Sequence, residues 1–334
     1  MLEHCIGGCA MNRELTVIVP VYNGERDLQK CLDSLFAVTL PVRIMVVDDG
    51  STDGTIAILK KANEEHEELT WFSKTNEGIA SARNYAVDRV ETEYFTFLDA
   101  DDTVEPEVYE KLLTKMKEEG SDIGFSDFLW VYEDGSTRPA SDTGYTNKHE
   151  LLEKMFATLW NKIYRTEWFR KTEIRFPDGL KYEDASLLYR LVLYMDRISY
   201  LPEVSVNYLQ RSGSITHTFD IHINDMIRVF EGIKEYYQEQ GQYEEYRDEI
   251  EYLFIRFFLG NSYLRAVRIE DKKLKEETLH RGYDFLTSHY PDYRKNPYLK
   301  KPGKKNLYFR HLSRPLYFLN AQIFPLLYKI GVMK

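Results

Sequence analysis

The chain has little cysteine, no long apolar run and a shortage of positive charge, and each absence removes a class of protein. Three cysteines in 334 residues cannot build a disulfide scaffold, and an odd number fits a reducing compartment. Cys5 and Cys9 lack the further Cys/His pair that a structural zinc requires. The longest apolar stretch, 315–328, is broken by Asn320, Gln322 and Pro325 and is too short to span a bilayer. Residues 1–14 lack the basic start and apolar run of a secretory signal. Lys and Arg number 44 against 54 Asp and Glu, a net charge of −10, which argues against a general nucleic-acid partner. No internal repeat is present.

What is abundant is tyrosine, 25 residues against 4 tryptophans, a usage that suits sugars or membrane interfaces because the ring buries while the hydroxyl stays wet. The charge is divided unevenly. From residue 291 onward ten basic side chains face one acid, Asp292, so the tail is +9 and the first 290 residues carry −19. A basic, aromatic tail on an acidic body points to a partner of its own.

The first hundred residues alternate between strand and helix patterns. Leu15–Val19, Val42–Val47, Leu69–Ser73 and Tyr94–Leu98 are apolar, β-rich runs. Between them Leu28, Cys31, Leu32, Leu35 and Phe36, then Ile56, Leu59 and Ala62, recur at helical spacing, and Gly78–Val90 reads as a third helix. Pro106 suits the first turn of a helix running to Glu119. Repeated βα units predict a parallel sheet covered on both faces, with its site at the strand C-termini. Beyond it, 122–132 and 198–208 read as strands and 135–144 as loop. Residues 148–170, 183–195 and almost all of 221–290 read as helix.

Three acidic clusters close this pattern: Asp48/Asp49, Asp99/Asp101/Asp102, and Glu183/Asp184 at a helix start. Turns and helix caps use such residues too, but three adjacent acids at 99–102 exceed what capping needs. Carboxylates gathered at one sheet edge repel and imply a cation. The hard-metal reading is Mg²⁺ or Mn²⁺, held by one or two carboxylates and a substrate diphosphate. Calcium loops fail on spacing: one begun at Asp49 has Lys60 at its twelfth position, and one begun at Asp99 has Val104 where glycine is required.

Four segments, Thr16-Val-Ile-Val-Pro-Val-Tyr-Asn23, Val46-Val-Asp-Asp-Gly-Ser-Thr-Asp53, Asn76-Glu-Gly-Ile-Ala-Ser-Ala-Arg-Asn84 and Phe97-Leu-Asp-Ala-Asp-Asp102, stand in a fixed order. Trp160-Asn-Lys162, Tyr182-Glu-Asp184 and Arg211-Ser-Gly-Ser-Ile-Thr216 follow. Together they resemble the family 2 inverting glycosyltransferases of GT-A fold, of the bacterial capsule, exopolysaccharide and teichoic-acid type, over roughly residues 15–217. The resemblance implies an α/β fold, a Rossmann-like, mostly parallel sheet sandwiched by helices, with a mostly helical C-terminal region.

It also implies roles. Pro20, Tyr22 and Asn23 would line the nucleotide pocket, Asp49 would accept from the uracil imide, and Arg83 would help hold the nucleotide. Asp99 and Asp101 would be the metal-binding pair, Asp101 the direct ligand and Asp99 the ribose or outer partner. Asp184 would be the general base with Glu183 beside it, Arg211 and Ser214 would contact the diphosphate, and His217 could reach metal or phosphate. Trp160 and Lys162 would meet the acceptor.

The expected division is 1–10 as an upstream extension before Met11, 11–217 catalytic, 218–290 helical and 291–334 a basic amphipathic tail. The expected partners are a UDP-sugar, a glycan or lipid-linked acceptor and, through the tail, an anionic membrane surface, with a second copy of the chain also admissible. This puts the protein in the cytoplasm, at the inner face of the plasma membrane. A nucleotidyltransferase would need a basic, Gly-rich loop after the first strand, and Pro20–Gly24 has none. A non-catalytic carbohydrate-binding protein would not need the metal acids and Asp184 together.

Overall fold

A computed structural model of the chain describes residues 13–211 and 219–329. They divide into two compact units. The first comprises the chain up to Tyr145, with Phe156–Gly179 and Leu193–Arg211; the second comprises Thr146–Met155, Leu180–Val192 and the chain from Ser212 onward. The division therefore falls after Arg211, the expected helical region and tail share one unit, and two short segments from the expected catalytic domain join them.

In chain order the elements are β1 (Leu15–Val21), α1 (Leu28–Phe36), β2 (Val42–Asp48), α2 (Thr55–Glu65), β3 (Leu69–Ser73), α3 (Ile79–Val87), β4 (Tyr94–Phe97), β5 (Thr103–Val104) and α4 (Val108–Glu119). There follow β6 (Ile123–Tyr132), β7 (Thr137–Ala140), α5 (Lys148–Lys154), β8 (Lys162–Arg165), α6 (Thr166–Lys171), α7 (Glu183–Leu191) and β9 (Ile198–Gln210). The second unit continues with α8 (Asp225–Glu239), α9 (Arg247–Arg256), α10 (Ser262–Ala266), α11 (Lys272–His289), α12 (Lys304–His311) and α13 (Arg314–Lys329).

The sheet runs β3-β2-β1-β4-β8-β6-β9-β5, with β7 paired to β6. Its first four strands are parallel, and every residue of β1 and β4 is buried, as continuous apolar runs require when helices cover both faces. This is the α/β arrangement that the sequence implied. Helix α1 buries Leu28, Cys31, Leu32 and Leu35, one stripe at i, i+3, i+4 and i+7. Pro20 sits inside β1 without breaking the sheet. The Ile18 carbonyl accepts from Leu98 on the β4 side and the Val21 carbonyl from Asp49 on the β2 side. Pro20 therefore faces β4, whose ladder with β1 ends at Ile18, and no ladder bond is lost.

Two stretches differ from the sequence reading. The stretch 135–144 contains β7, a short strand in a hairpin with β6. The stretch 148–170 is not one helix: α5 ends at Lys154, and Lys162–Arg165 forms a strand between β4 and β6. The physical reason is burial, because Trp160, Asn161, Lys162, Ile163 and Tyr164 are all inside, whereas a surface helix would expose some of them.

That burial also corrects the acceptor contacts assigned to Trp160 and Lys162. The Trp160 ring packs edge-on against Phe128 at 4.8 Å and against Tyr208 at 5.0 Å. The Lys162 ammonium is fully enclosed, donating to Asp142 Oδ2 at 2.7 Å, Asn161 Oδ1 at 2.9 Å and the carbonyls of Thr158 and Phe156 at 2.8 and 3.2 Å. Asp142 also accepts from the Tyr145 hydroxyl, the Asn161 amide and the Phe156 backbone. A lysine held this way braces the wall of the sheet and has no donor left for a substrate. Removing one partner of a buried pair strands the other charge, so Lys162→Met should lower unfolding stability by about 3–5 kcal/mol in denaturant titration. A loss below about 1 kcal/mol would show that the pair is not a structural brace.

Candidate functional site

The C-termini of β1, β2 and β4 are neighbours on one edge of the sheet, the place where open α/β sheets bind ligands. After β1 come Tyr22, the most exposed aromatic ring of the unit at 53%, and Asn23, whose φ of +51° is a conformation that Asn tolerates better than most residues. Asn23 Oδ1 accepts from the Thr52 backbone, and its own backbone N–H donates to Ser51 Oγ, both at 2.8 Å. The loops that follow β1 and β2 are thus stitched together. Pro20 is buried in β1 and shapes this rim from beneath.

At the end of β2 the two acids have separate duties. Asp48 is wholly buried and holds the turn, accepting from the Ser51 backbone and the Ser73 hydroxyl. Asp49 accepts from Lys74 Nζ at 2.9 Å, the Glu77 backbone at 3.1 Å and the Gly78 backbone at 2.7 Å. Both Glu77 and Gly78 lie just before α3. Lys74 also meets Glu77 Oε2 at 2.8 Å. Burial lowers the Lys74 ammonium, and its bonds to Glu77 and Asp49 outweigh that, so it stays above the usual lysine value. Lys74 was missed from sequence, although it lies just upstream of Asn76-Glu-Gly78.

The acidic turn after β4 is sorted the same way. Asp99 Oδ1 accepts from Arg83 Nη2 at 2.8 Å. Arg83 lies on α3, is buried, and is held between the rings of Phe97 and Phe176. Asp101 Oδ2 accepts from Arg211 Nη2 at 3.0 Å, and the other arm of the same guanidinium bonds Asp27. Asp102 is fully buried, and its Oδ1 accepts from the Leu209 backbone at 2.8 Å, tying the turn to β9. The adjacent β5–β9 pairing, Thr103 opposite Asn207, fixes that register. Since Arg211 directly follows β9, the same register delivers its side chain to Asp101.

The turn is electrostatically loaded. Burial, then the charges of Asp99 and Asp101, push the Asp102 carboxyl well above the usual range. Burial, then Asp99, raise Asp101, while Arg211 pulls it back. Burial and the three acids raise the Cys31 thiol beneath them. Asp99 and Asp101 keep about a quarter of their side-chain surface open, so a cation from solvent can reach them. No group of three or more His, Cys, Asp or Glu among the described residues forms a closed metal cage. A hard cation held by one or two carboxylates and substrate oxygens needs no such cage, and the open carboxylate oxygens of Asp99 and Asp101 fit that requirement provided that Arg211, bonded to Asp101 here, gives way.

In the second unit, Glu183 and Asp184 open α7. Glu183 is buried and Asp184 half-buried, its Oδ1 accepting from the Ala185 backbone at 2.7 Å. The residue before them, Tyr182, has φ +68° and ψ +33°, strain that persists only where surroundings enforce it. Its ring lies 5.1 Å from the Arg265 guanidinium, and burial pushes its hydroxyl up to about 12. Ser214 and His217 lie outside the described residues. The first unit therefore brings together Tyr22, Asn23 and Asp49, and likewise Arg83, Asp99, Asp101 and Arg211. It adds Lys74 and Asp27, the latter giving no motif signal because its partner lies 184 residues away.

Residues 16–175 match the family model "Glycosyl transferase family 2". The chain is 32% identical over 223 residues to glycosyltransferase GlyA of Streptococcus pneumoniae, covering 62% of this chain and 32% of that one. It is 27% identical over 270 residues to the poly(ribitol-phosphate) beta-N-acetylglucosaminyltransferase TarS of Staphylococcus aureus, covering 78% and 47%. It thus spans about a third and about half of those two relatives. Among solved structures, TarS 1–349 in complex with UDP-GlcNAc superposes with a TM-score of 0.71 at 22% identity, over 95% of this chain and 92% of that one. The mannosyltransferase PcManGT of Pyrobaculum calidifontis, in complex with GDP-Man and Mn²⁺, superposes with a TM-score of 0.52 at 14% identity.

The glycine between Asp49 and Ser51 gives a direct check on this geometry. Gly50 has φ +77°, and a Cβ there would lie 2.9 Å from the Asn76 nitrogen and 3.1 Å from the Lys74 carbonyl. Gly50→Ala should therefore cost about 1–3 kcal/mol of stability by denaturant titration. An unchanged midpoint would mean that the loops around Asp49 are not packed as described.

Proposed function

We propose that this chain, whose residues 16–175 match the family 2 model, is a glycosyl transferase of that family, and that it carries out inverting transfer of a sugar from UDP to a hydroxyl of a glycan or lipid-linked saccharide in surface-polysaccharide assembly. The observation that carries it is the sorting of the acids at one sheet edge. Asp99 and Asp101 stay open to solvent beside arginines, and Asp49 is held by Lys74 at the end of the neighbouring loop system. The TarS neighbours, solved with UDP-GlcNAc and with UDP, support the choice of UDP.

In this reading Tyr22 stacks on the base and Asp49 accepts from the imide N–H, kept in place by Lys74 and the backbone of Glu77 and Gly78. Lys74 is a positioning residue. Arg83 holds Asp99 and so acts on the donor through it. Asp101, with Asp99, would hold Mg²⁺ or Mn²⁺, and a cation bound there would neutralise the charge that builds on the departing diphosphate. Arg211, now on Asp101 and Asp27, is the side chain that would turn to the diphosphate when the cation takes Asp101.

Asp184 is the base. As the acceptor oxygen forms its bond to the anomeric carbon, the bond from that carbon to the diphosphate oxygen breaks on the opposite face, and the electron pair leaves with UDP. The acceptor proton passes to the Asp184 carboxylate, and the sugar configuration inverts. Burial separates Glu183 from this role, since Asp184 is the more open of the two.

Three measurements check the reading. Purified protein given a panel of sugar nucleotides with Mn²⁺ should slowly hydrolyse a UDP-sugar even without acceptor; inertness toward every UDP-sugar would contradict it. Asp184→Asn should bind UDP as the parent does while kcat falls about 10²–10⁴-fold, and near-parental turnover would remove the base assignment. Asp101→Ala should lose UDP affinity and rate together, and chelation by EDTA should reproduce that loss in the parent protein. Activity that survives chelation would transfer the cation's task to Arg211.

A further inference from the structure

No helix among the described residues is long and apolar enough to cross a membrane, yet the end of the chain exposes an unusual amount of apolar surface. Seven large hydrophobic side chains are exposed among the described residues, and five of them, Leu307, Leu316, Leu319, Ile323 and Leu326, lie on α12 and α13 at 37–60% exposure. On α13 the division into faces is clean. Tyr317 and Ala321 are buried, and Phe324 and Tyr328 lie on the same stripe. Tyr317 stacks on Tyr263 at 4.5 Å and Tyr283 at 4.9 Å, its carbonyl accepts from the Tyr263 hydroxyl, and Phe324 meets Tyr263 at 5.7 Å. The helix is thus already docked on the helices of its own unit. Leu316, Leu319, Ile323 and Leu326 recur at three and four residues on the opposite face and are exposed.

Basic residues precede this ridge in the chain. Lys300, Lys304 and Arg310 are exposed and have no acidic partner among the described residues. Lys304, Leu307 and Arg310 recur at intervals of three on α12. The face bearing Leu316, Leu319, Ile323 and Leu326 is therefore the one left free, while a second stripe, rich in tyrosine, does the packing.

We propose that the exposed α13 ridge of Leu316, Leu319, Ile323 and Leu326, together with the exposed Leu307, Lys300, Lys304 and Arg310 that precede it in the chain, is a reversible docking surface for an anionic lipid bilayer. The apolar ridge enters the headgroup boundary while the basic side chains meet lipid phosphates. The occupant is chosen by charge. A +9 segment on a −19 body has its complement in an anionic leaflet, and a soluble polyanion would leave the ridge in water. The proposal stands apart from the transfer reaction, because binding is read without donor or acceptor.

The test is sedimentation of the full-length protein with vesicles of phosphatidylcholine alone, or with about 30% phosphatidylglycerol, at low and high salt. Binding should appear only on the anionic vesicles and fall with salt. Leu319→Asp with Ile323→Asp, and separately Lys304→Glu with Arg310→Glu, should each weaken it by about tenfold or more. Both pairs are exposed, so unchanged melting curves confirm that each variant is folded. Equal binding to both vesicle types, or failure of both folded variants to weaken it, would overturn the proposal. So would absence of vesicle binding together with a dimer in sedimentation equilibrium that Leu319→Asp with Ile323→Asp dissociates, since the ridge would then belong to a second copy.

Discussion

Carboxylates crowded at one end of a sheet repel, and the structure around the candidate site is arranged to contain that repulsion. Asp99, Asp101 and Asp102 occupy three of four consecutive positions, and each has its own solution. Asp102 gives up solvent, its carboxyl pushed well up, and becomes a structural acceptor for the Leu209 backbone. Asp99 is held by the buried Arg83, and Asp101 by Arg211, which Asp27 shares. The bond to Leu209 is the one on which the Arg211 contact depends. It locks the acidic turn to β9, and the register of β9 brings Arg211 to Asp101 from the far end of the first unit.

The same logic explains why the site is built from strands far apart in sequence. Parallel strands buried on both faces bring their C-termini to one edge, so three loops and one guanidinium converge with no local motif containing all of them. Asp48 and Asp49 also divide the work, though both are buried: Asp48 holds its own turn through Ser51 and Ser73, and Asp49 binds Lys74 and the backbone just before α3. A chain that keeps one acid of each cluster for structure and one for chemistry tolerates the cluster without an internal counter-ion for every member.

Much of this was legible in sequence because burial leaves a pattern. The apolar runs of β1, β2, β3 and β4, the stripe of α1 and the acidic turns that follow were readable, and with them the fold. The short strands were not. Two residues at Thr103–Val104 and four at Lys162–Arg165 carry no period, and a lysine in the core reads as a surface residue until Asp142 and three carbonyl or amide oxygens are seen around it. Lys74 and Asp27 were missed because their roles are long-range contacts. On α13 an apolar face was evident, but the tyrosine-bearing stripe beside it is equally apolar, and only packing distinguishes the docked face from the free one.

The proposed reaction requires a divalent cation and a nucleoside diphosphate to meet at Asp101, in the place that Arg211 holds here. The most direct measurement is an anomalous diffraction map from crystals of the protein grown with UDP and Mn²⁺. One Mn²⁺ peak is expected within bonding distance of the Asp101 carboxylate and a diphosphate oxygen, with the guanidinium of Arg211 moved onto the diphosphate. UDP bound without a peak at Asp101, or a peak elsewhere with Arg211 still on Asp101, would contradict the proposed reaction.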